Sequence, residues 1–165
     1  MMALKSLGYS MNTEDESELN DAYEWLVECV QTMEPEIVTD EIIDNMAQGR
    51  KALGLCYSGD AAYIMTENEN MGFYLPKEGT NRWYDSMVIP SNAENPELAH
   101  EFMNFISAYD YAFDNSSYVG YTSPNLQVME DLSGEDGDYE GINAYIPRTD
   151  SENDEVFVYN EETRK

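Results

Sequence analysis

A chain of 165 residues is long enough to bury one core, and its 42% of apolar residues is enough for it to fold. Its 34 acidic residues against 8 basic ones give a formal net charge of −26, which repels a phosphate backbone and excludes nucleic acid as a partner. No apolar run approaches the roughly 20 residues that span a bilayer, so we predict no direct membrane span. The charge favours a cationic partner, although an acidic surface that only keeps a protein soluble would have the same composition.

The first third of the sequence predicts helices with one short strand among them. Residues 1–8 have the apolar rhythm of the end of a helix. Asp15 can cap a helix that runs to about Met33. The apolar stripe of this helix, which we expect to lie on a sheet, consists of Leu19, Tyr23, Leu26, Val27 and Val30. A short strand near 36–39 and a helix over 41–48 follow.

The middle of the sequence predicts most of the sheet. A strand over 52–57, which has the composition of a buried strand, leads into a helix over 58–67. Further strands are expected near 71–75 and 82–89, and the turn over 76–79 separates them. These strands would form the layer on which the helices pack.

The last third predicts helices and then an exposed acidic segment. Asn95, Pro96 and Glu97 mark a helix start, since they supply a cap acceptor, a first-turn proline and a carboxylate favoured by the helix dipole. The expected buried face of this helix consists of Leu98, Phe102 and Phe105. A further helix or turn covers 108–117, and 132–155 is predicted to be exposed and loop-rich. Helices that alternate with short strands predict an α/β fold.

The sequence lacks the constellations that carry catalysis or bind metals. His100 is the single histidine, and without a second imidazole or a nearby thiol it predicts no zinc site. The acidic residues of 130–140 lack the glycine spacing of an EF-hand calcium loop. Cys29 and Cys56 occur in apolar settings, which predicts free buried thiols unless the fold brings them together as a disulfide. We therefore predict a protein that is not an enzyme and that has no cofactor and no metal.

Aromatic side chains and one carboxylate recur at the ends of predicted strands and turns. They are Tyr57, Trp83, Asp85 and Tyr121. Each alone has a structural explanation, as a rim residue of the core, a packing anchor, a turn acceptor or a loop residue. Together they meet the needs of a flexible diamine or triamine. Carboxylates neutralise its ammonium groups, and flat rings hold its methylene chain while adding cation–π attraction.

Six motifs follow one another in a fixed order along the chain. They occupy 2–13, 55–59, 76–79, 83–90, 95–96 and 120–125. In this order and at these intervals they resemble the spermidine/putrescine-binding proteins of bacterial ABC transporters. The resemblance extends from residue 1 to about 131 and is loose from 132 onward.

The resemblance implies an α/β fold of the type II periplasmic-binding-protein class, with two lobes and the ligand in the cleft between them. On that pattern, residues 1–82 form the core of the C-terminal lobe. Residues 83–121 cross over and return to the N-terminal lobe, and the acidic, loop-rich 122–165 return to the C-terminal lobe. The N-terminal half is then a missing partner of this chain, which would hold about half of a binding site.

The resemblance also implies a function and the residues that perform it. Trp83 would be an aromatic wall, Asp85 the carboxylate that pairs with an amine, and Tyr121 another ring of the cleft. Tyr57 stands where the family often has tryptophan. Proteins of this family capture a polyamine outside the cytoplasm and deliver it to the permease subunits of an importer. An extracytoplasmic location, with a lipid anchor as one form of attachment, would require an export signal outside this sequence, because residues 1–5 are too short and wrongly charged for one.

Other interpretations remain open at the level of sequence. The chain could be a receptor for another small organic solute, an incomplete fragment that does not bind alone, or an acidic interaction protein that mimics a polyanion. An enzyme on the same fold is disfavoured, because no base and nucleophile are paired. Arg82, beside Trp83, would be unfavourable for a polycation, but strand alternation predicts that it lies on the opposite face and is exposed.

Overall fold

The structure is a computed structural model that describes residues 1–149 and 151–161, in which seven helices and two short strands occur. The elements in chain order are α1 (Met2–Ser6), α2 (Glu16–Met33), α3 (Glu41–Ala47), α4 (Ser58–Glu67), β1 (Asn81–Arg82), α5 (Pro96–Ser107), α6 (Tyr109–Val119), α7 (Leu126–Ser133) and β2 (Glu155–Val156). Within the described ranges the one ladder is parallel, and it pairs Asn81 with Glu155 and Arg82 with Val156.

The chain divides into two compact units. Unit 1 consists of Met1–Ile37, Leu75–Asp85 and the described part of Arg148–Lys165, and unit 2 consists of Val38–Tyr74 and Ser86–Pro147. Each unit is therefore assembled from separate stretches of chain. The division of the chain between two lobes that the sequence predicts stays a prediction.

Unit 1 contains α1 and α2 with a small core between them. The Asp15 carboxylate accepts hydrogen bonds from the amides of Ser17 and Glu18, so the predicted cap and start of α2 are confirmed. The buried residues of this core are Ala3, Leu4 and Ala22, with Tyr9, Leu19 and Trp25 packed against them. The prediction that α2 lies on a sheet was wrong. The helix packs on α1 instead, and most of its apolar stripe, including Tyr23 and Leu26, is exposed.

Unit 2 contains the larger core. Its buried residues are Ala61, Ala62, Val128, Leu132, Tyr139, Ala144 and Tyr145. The rings of Tyr139 and Tyr145 stack at 4.5 Å between centroids. The prediction that 134–149 is loop-rich is confirmed, and acidic residues of this range such as Glu135 and Glu140 are exposed, but the prediction that the whole of 132–155 is exposed was wrong. Tyr139, Ala144 and Tyr145 enter the core from turns, where they have no periodicity that a sequence pattern can reveal.

Helices were predicted more accurately than strands. The helices expected over 41–48, 58–67 and 108–117, and the one that starts after Asn95, are all confirmed within about two residues. Among the described residues, the strands expected near 36–39, 52–57 and 71–75 join no ladder, and only Asn81–Arg82 is paired near the strand expected at 82–89.

The expected burial of two of these elements was wrong for the same reason. The buried strand predicted over 52–57 and the buried face predicted for α5 expose large apolar side chains, namely Leu53, Leu55, Leu98, Phe102 and Phe105. An apolar pattern shows which face of an element can be buried. It does not supply the layer that buries it.

Candidate functional site

Strand β1 leads directly to two of the predicted site residues, Trp83 and Asp85, in unit 1. The Trp83 side chain is 37% exposed. Asp85 is exposed and has no hydrogen bond or ion pair with any residue of 1–149 or 151–161. An accessible indole thus lies two residues from an accessible carboxylate, which is a combination that attracts a cationic ligand.

The C-terminal segment fixes the position of β1. The Thr80 amide donates a hydrogen bond to Asp154 Oδ1 at 2.9 Å, and the Glu155 amide donates to the Thr80 carbonyl at 3.1 Å. The Phe157 amide donates to Asn81 Oδ1 at 3.2 Å. The strand before Trp83 is therefore held by residues that sequence reasoning missed, because they have neither periodicity nor a clear family motif.

Asp154 is the buried carboxylate at the centre of this arrangement, with a side chain that is 2% exposed. Two nitrogens of Arg148 donate to it, one of them Nε at 3.0 Å, and Arg82 Nη2 lies 3.5 Å away. Burial opposes ionisation of Asp154, but the hydrogen bonds from Arg148 and Thr80 and the charges of Arg148 and Arg82 outweigh it, so its pKa is lowered.

Arg82 is consequently not the exposed residue that strand alternation predicted. It is half-buried, pairs with Asp154, and also donates to the Arg148 carbonyl at 3.1 Å. The prediction of an exposed Arg82 was wrong because a buried carboxylate from a distant part of the chain, Asp154, pairs with it. Arg82 therefore pairs with a carboxylate of unit 1 itself.

The first sequence motif, 2–13, holds the partner strand β2. Glu155 accepts from the Lys5 ammonium, from Ser10 Oγ at 2.6 Å and from the Met11 amide at 3.2 Å. Asn12 Nδ2 donates to the Val156 carbonyl at 2.9 Å. Burial opposes ionisation of Glu155, but the hydrogen bonds from Lys5 and Ser10 and the charge of Lys5 outweigh it and lower its pKa.

The other two predicted residues, Tyr57 and Tyr121, lie together at the start of α4 in unit 2. The Tyr121 ring lies against Gly59, where a Cβ would overlap it. Gly120 has a φ of 75°, a left-handed conformation that favours glycine and that ends α6 just before Tyr121. Tyr57 is 60% exposed. The structure thus places one pair of site residues on each unit.

Asp60 adds a carboxylate beside this tyrosine pair that sequence reasoning missed. Its Oδ2 accepts from the Tyr57 amide at 3.4 Å, as expected for a carboxylate in the first turn of a helix. Burial raises the pKa of Asp60, the Tyr57 amide lowers it, and the charge of Asp40 raises it, with an upward net shift. The signal in the sequence was the acidic residue three positions after Tyr57.

The two cysteines do not form a disulfide. Cys29 and Cys56 are half-buried free thiols, and burial, aided by the charge of Asp60, raises the pKa of Cys56. Within residues 1–149 and 151–161, no three histidine, cysteine, aspartate or glutamate side chains are grouped so that they could hold a metal ion. None of the helices in that part of the chain is long and apolar enough to cross a membrane.

Comparison with known proteins identifies relatives of one kind. The sequence model of the family described as bacterial extracellular solute-binding protein matches residues 1–140. The spermidine/putrescine-binding periplasmic protein of Salmonella typhimurium is 35% identical over 134 residues, which cover 81% of this chain and 38% of the relative. A putrescine-binding periplasmic protein of Pseudomonas aeruginosa is 26% identical over 147 residues, 83% of this chain and 40% of the relative.

A solved structure extends the similarity to the fold. It is named as a spermidine/putrescine ABC transporter from Listeria monocytogenes, and it matches with a TM-score of 0.79 and 34% identity over 99% of this chain and 50% of that one. The chain thus spans less than half the length of the curated relatives and half of the solved structure. The helix-rich α/β fold is that of a periplasmic solute-binding protein, and the chain belongs to the family of bacterial extracellular solute-binding proteins.

Proposed function

We propose that this chain is the C-terminal part of an extracytoplasmic receptor that captures a polyamine, spermidine or putrescine, for an ABC importer. The observation that carries the proposal is the exposed Asp85 carboxylate two residues after the Trp83 indole, in a chain whose relatives are named for polyamine binding. Such a receptor performs no covalent chemistry. It recognises, releases and delivers its ligand.

The residues act through the chemistry of a polyamine, a flexible chain of methylenes between ammonium groups. Asp85 pairs with one ammonium group in a charge-assisted hydrogen bond. The rings of Trp83, Tyr121 and Tyr57 present faces that pack on methylenes and attract the adjacent positive charge. Arg82, the nearest basic residue in sequence, is held by Asp154, a carboxylate that it shares with Arg148.

The rest of the activity belongs to the whole protein. Delivery to permease subunits, closure of two lobes around the ligand, an extracytoplasmic location and any lipid anchor are parts of the same proposal. Because the chain covers half of the solved relative, we expect residues 1–165 alone to bind a polyamine weakly, with Kd in the range of about 1 mM.

The test is a titration of spermidine and putrescine into isotopically labelled 1–165, followed by NMR. Binding should shift the Trp83 indole and Asp85 amide resonances saturably, and Asp85→Asn should weaken it by about tenfold or more. Asp114→Asn, which removes an exposed carboxylate from the middle of α6, is the matched control and should change little.

Each contrary outcome has a defined meaning. Equal losses in the two variants would show that the chain responds only to overall negative charge, as an acidic interaction protein would. No shifts at Trp83 and Asp85 with either polyamine at about 10 mM would reject polyamine binding by these residues and leave a receptor for another small solute. Tight binding in calorimetry would contradict the expectation that this chain holds only part of the site.

A further inference from the structure

A pair of buried hydroxyl groups lies in the largely apolar core of unit 2. Tyr145, in the turns that follow α7, is fully buried, and Ser116, in the last turn of α6, is 5% exposed. Their oxygens are 2.7 Å apart, which is a hydrogen-bond distance. A buried hydroxyl is costly unless its hydrogen bonds are made, so each proton of this pair needs an acceptor.

The Tyr121 carbonyl fixes the direction of these hydrogen bonds. It lies 2.5 Å from Ser116 Oγ, and a carbonyl can only accept. Because the serine hydroxyl has a single proton, Ser116 donates to Tyr121 and must accept from Tyr145. The two hydroxyls therefore form a relay that runs from Tyr145 through Ser116 to the backbone of Tyr121.

Tyr145 also holds the residue that follows Tyr121. The Thr122 hydroxyl donates to the Tyr145 carbonyl, so the peptide between Tyr121 and Thr122 is held on both sides by the same tyrosine. On the other side of Tyr121, Gly120 approaches α4 so closely that a Cβ on it would lie 2.8 Å from the Gly59 carbonyl oxygen. The backbone around Tyr121 is thus fixed against the start of α4.

The fixed backbone decides where the Tyr121 ring lies. The ring has only two rotatable bonds, and it contacts Gly59 at the place where a Cβ would overlap it. Without a donor from Tyr145, the Ser116 hydroxyl could turn to the Ala112 carbonyl four residues earlier, a hydrogen bond that serines inside helices form readily. The Tyr121 carbonyl would then lose this donor, and the ring would occupy a wider range of positions.

We propose that Tyr145 and Ser116 are positioning residues for Tyr121, which their hydroxyl relay holds against Gly59. The inference rests on the proposed function in one respect, since it makes the relay a determinant of polyamine affinity through the Tyr121 ring. A ring that is already in place gives up less conformational freedom when the ligand binds, and affinity is higher for that reason.

The test is NMR of 1–165 with isotopically labelled tyrosine rings, without and with spermidine. The nuclear Overhauser effect between the Tyr121 ring protons and Gly59 Hα reports the ring position directly. Tyr145→Phe and Ser116→Ala should each weaken this effect by about twofold or more, because other ring positions become populated. Each should also raise the spermidine Kd by about threefold, as expected for the loss of one hydrogen bond.

Tyr139→Phe is the matched control. The Tyr139 hydroxyl donates to the Ser117 carbonyl at 2.5 Å, and its ring stacks on that of Tyr145. The control therefore removes the same group from the same core without touching the relay to Tyr121. It should lower the thermal stability about as much as Tyr145→Phe does, but leave the Overhauser effect unchanged and the Kd within about twofold. A circular dichroism spectrum unchanged in all three variants shows that they fold.

The outcomes separate this inference from the proposed function. An undiminished Overhauser effect in Tyr145→Phe and Ser116→Ala, or an equal loss in Tyr139→Phe, would overturn the positioning. A weakened effect with an unchanged spermidine Kd would overturn its role in binding. A weakened effect in a chain whose Trp83 and Asp85 resonances do not respond to spermidine would support the positioning and reject the polyamine function.

Discussion

At the scale of single residues, the loss of the Asp154 carboxylate should lower the stability of unit 1 most. Asp154→Asn removes the negative charge that two arginines share, while one of them, Arg148, stays only 20% exposed. Breaking a fully buried pair costs about 3–5 kcal/mol, and the partial exposure of both arginines reduces our expectation to about 2 kcal/mol. Urea denaturation at neutral pH measures this loss. Asp114→Asn, as the control, should change stability by less than about 0.5 kcal/mol.

The lowered pKa of Asp154 predicts that the stability of the fold depends on pH. The pKa of Asp154 in the folded protein lies below its ordinary value of 3.8, so its ionised form stabilises the fold. This contribution is complete above the unfolded value and is lost as pH falls through the folded pKa. The stability difference between the unsubstituted chain and Asp154→Asn should therefore be constant from about pH 7 to 5 and shrink below about pH 4. A difference that stays constant to about pH 2 would contradict the assignment.

Gly59 is the second residue whose substitution should destabilise the fold, because a single added Cβ atom is enough to do so. A Cβ there would overlap the Tyr121 ring, so Gly59→Ala should destabilise unit 2 by about 1–3 kcal/mol. Gly72→Ala is the control, because no atom outside its chain neighbours lies within 4 Å of the added Cβ. In a double-mutant cycle, the penalty of Gly59→Ala should fall when Tyr121→Ala is also present. An unchanged penalty would show that backbone conformation, not the ring, requires glycine.

At the scale of elements, α7 depends on its cap. Asn125 Oδ1 accepts from the amides of Gln127 and Val128. The helix that it starts buries Val128 and Leu132 completely. Asn125→Ala should cost about 1 kcal/mol in thermal or urea unfolding. Asn92→Ala, at an exposed turn that starts no helix, should cost almost nothing, and equal effects of the two substitutions would show that the cap does not matter.

The elements also show what a sequence can predict and what it cannot. Caps are local, so Asp15 and Asn95 correctly marked the starts of α2 and α5. Pairing is not local: the partner of Asn81 is Glu155, and nothing near either residue specifies the other. Apolar periodicity similarly marked the face of α5 that can be buried but could not show that Phe102 stays exposed.

The residues of the candidate site also divide into those that the sequence predicts and those that it does not. Trp83, Asp85, Tyr57 and Tyr121 were found because short motifs carry them, and their roles in binding remain predictions. Asp154 and Arg148, which position β1, were missed because they act through contacts with Thr80 and Leu75 more than 70 residues away in sequence. A motif can identify residues that face a ligand. The groups that hold them in place require the fold.

At the scale of the whole molecule, the two units differ in how much they bury. Unit 1 has three buried residues in its core, Ala3, Leu4 and Ala22, of which two are alanines, whereas the core of unit 2 includes Leu132 and Tyr145 with five other buried residues. Burial of large apolar side chains is the main stabilising contribution to a fold. Unit 1 should therefore open at a lower free energy than unit 2 if the units unfold separately.

Hydrogen exchange with mass spectrometry tests this difference. Peptides from α2 in unit 1 should exchange at least about tenfold faster than peptides from α4 and α7 in unit 2. Asp154→Asn should speed exchange in α2 and leave exchange in α4 and α7 unchanged. Asn125→Ala should speed exchange in α4 and α7 and leave exchange in α2 unchanged. Each variant is therefore the control for the other. A single exchange rate that both variants raise equally would contradict separate opening, because it would require the small and the large core to unfold as one cooperative structure.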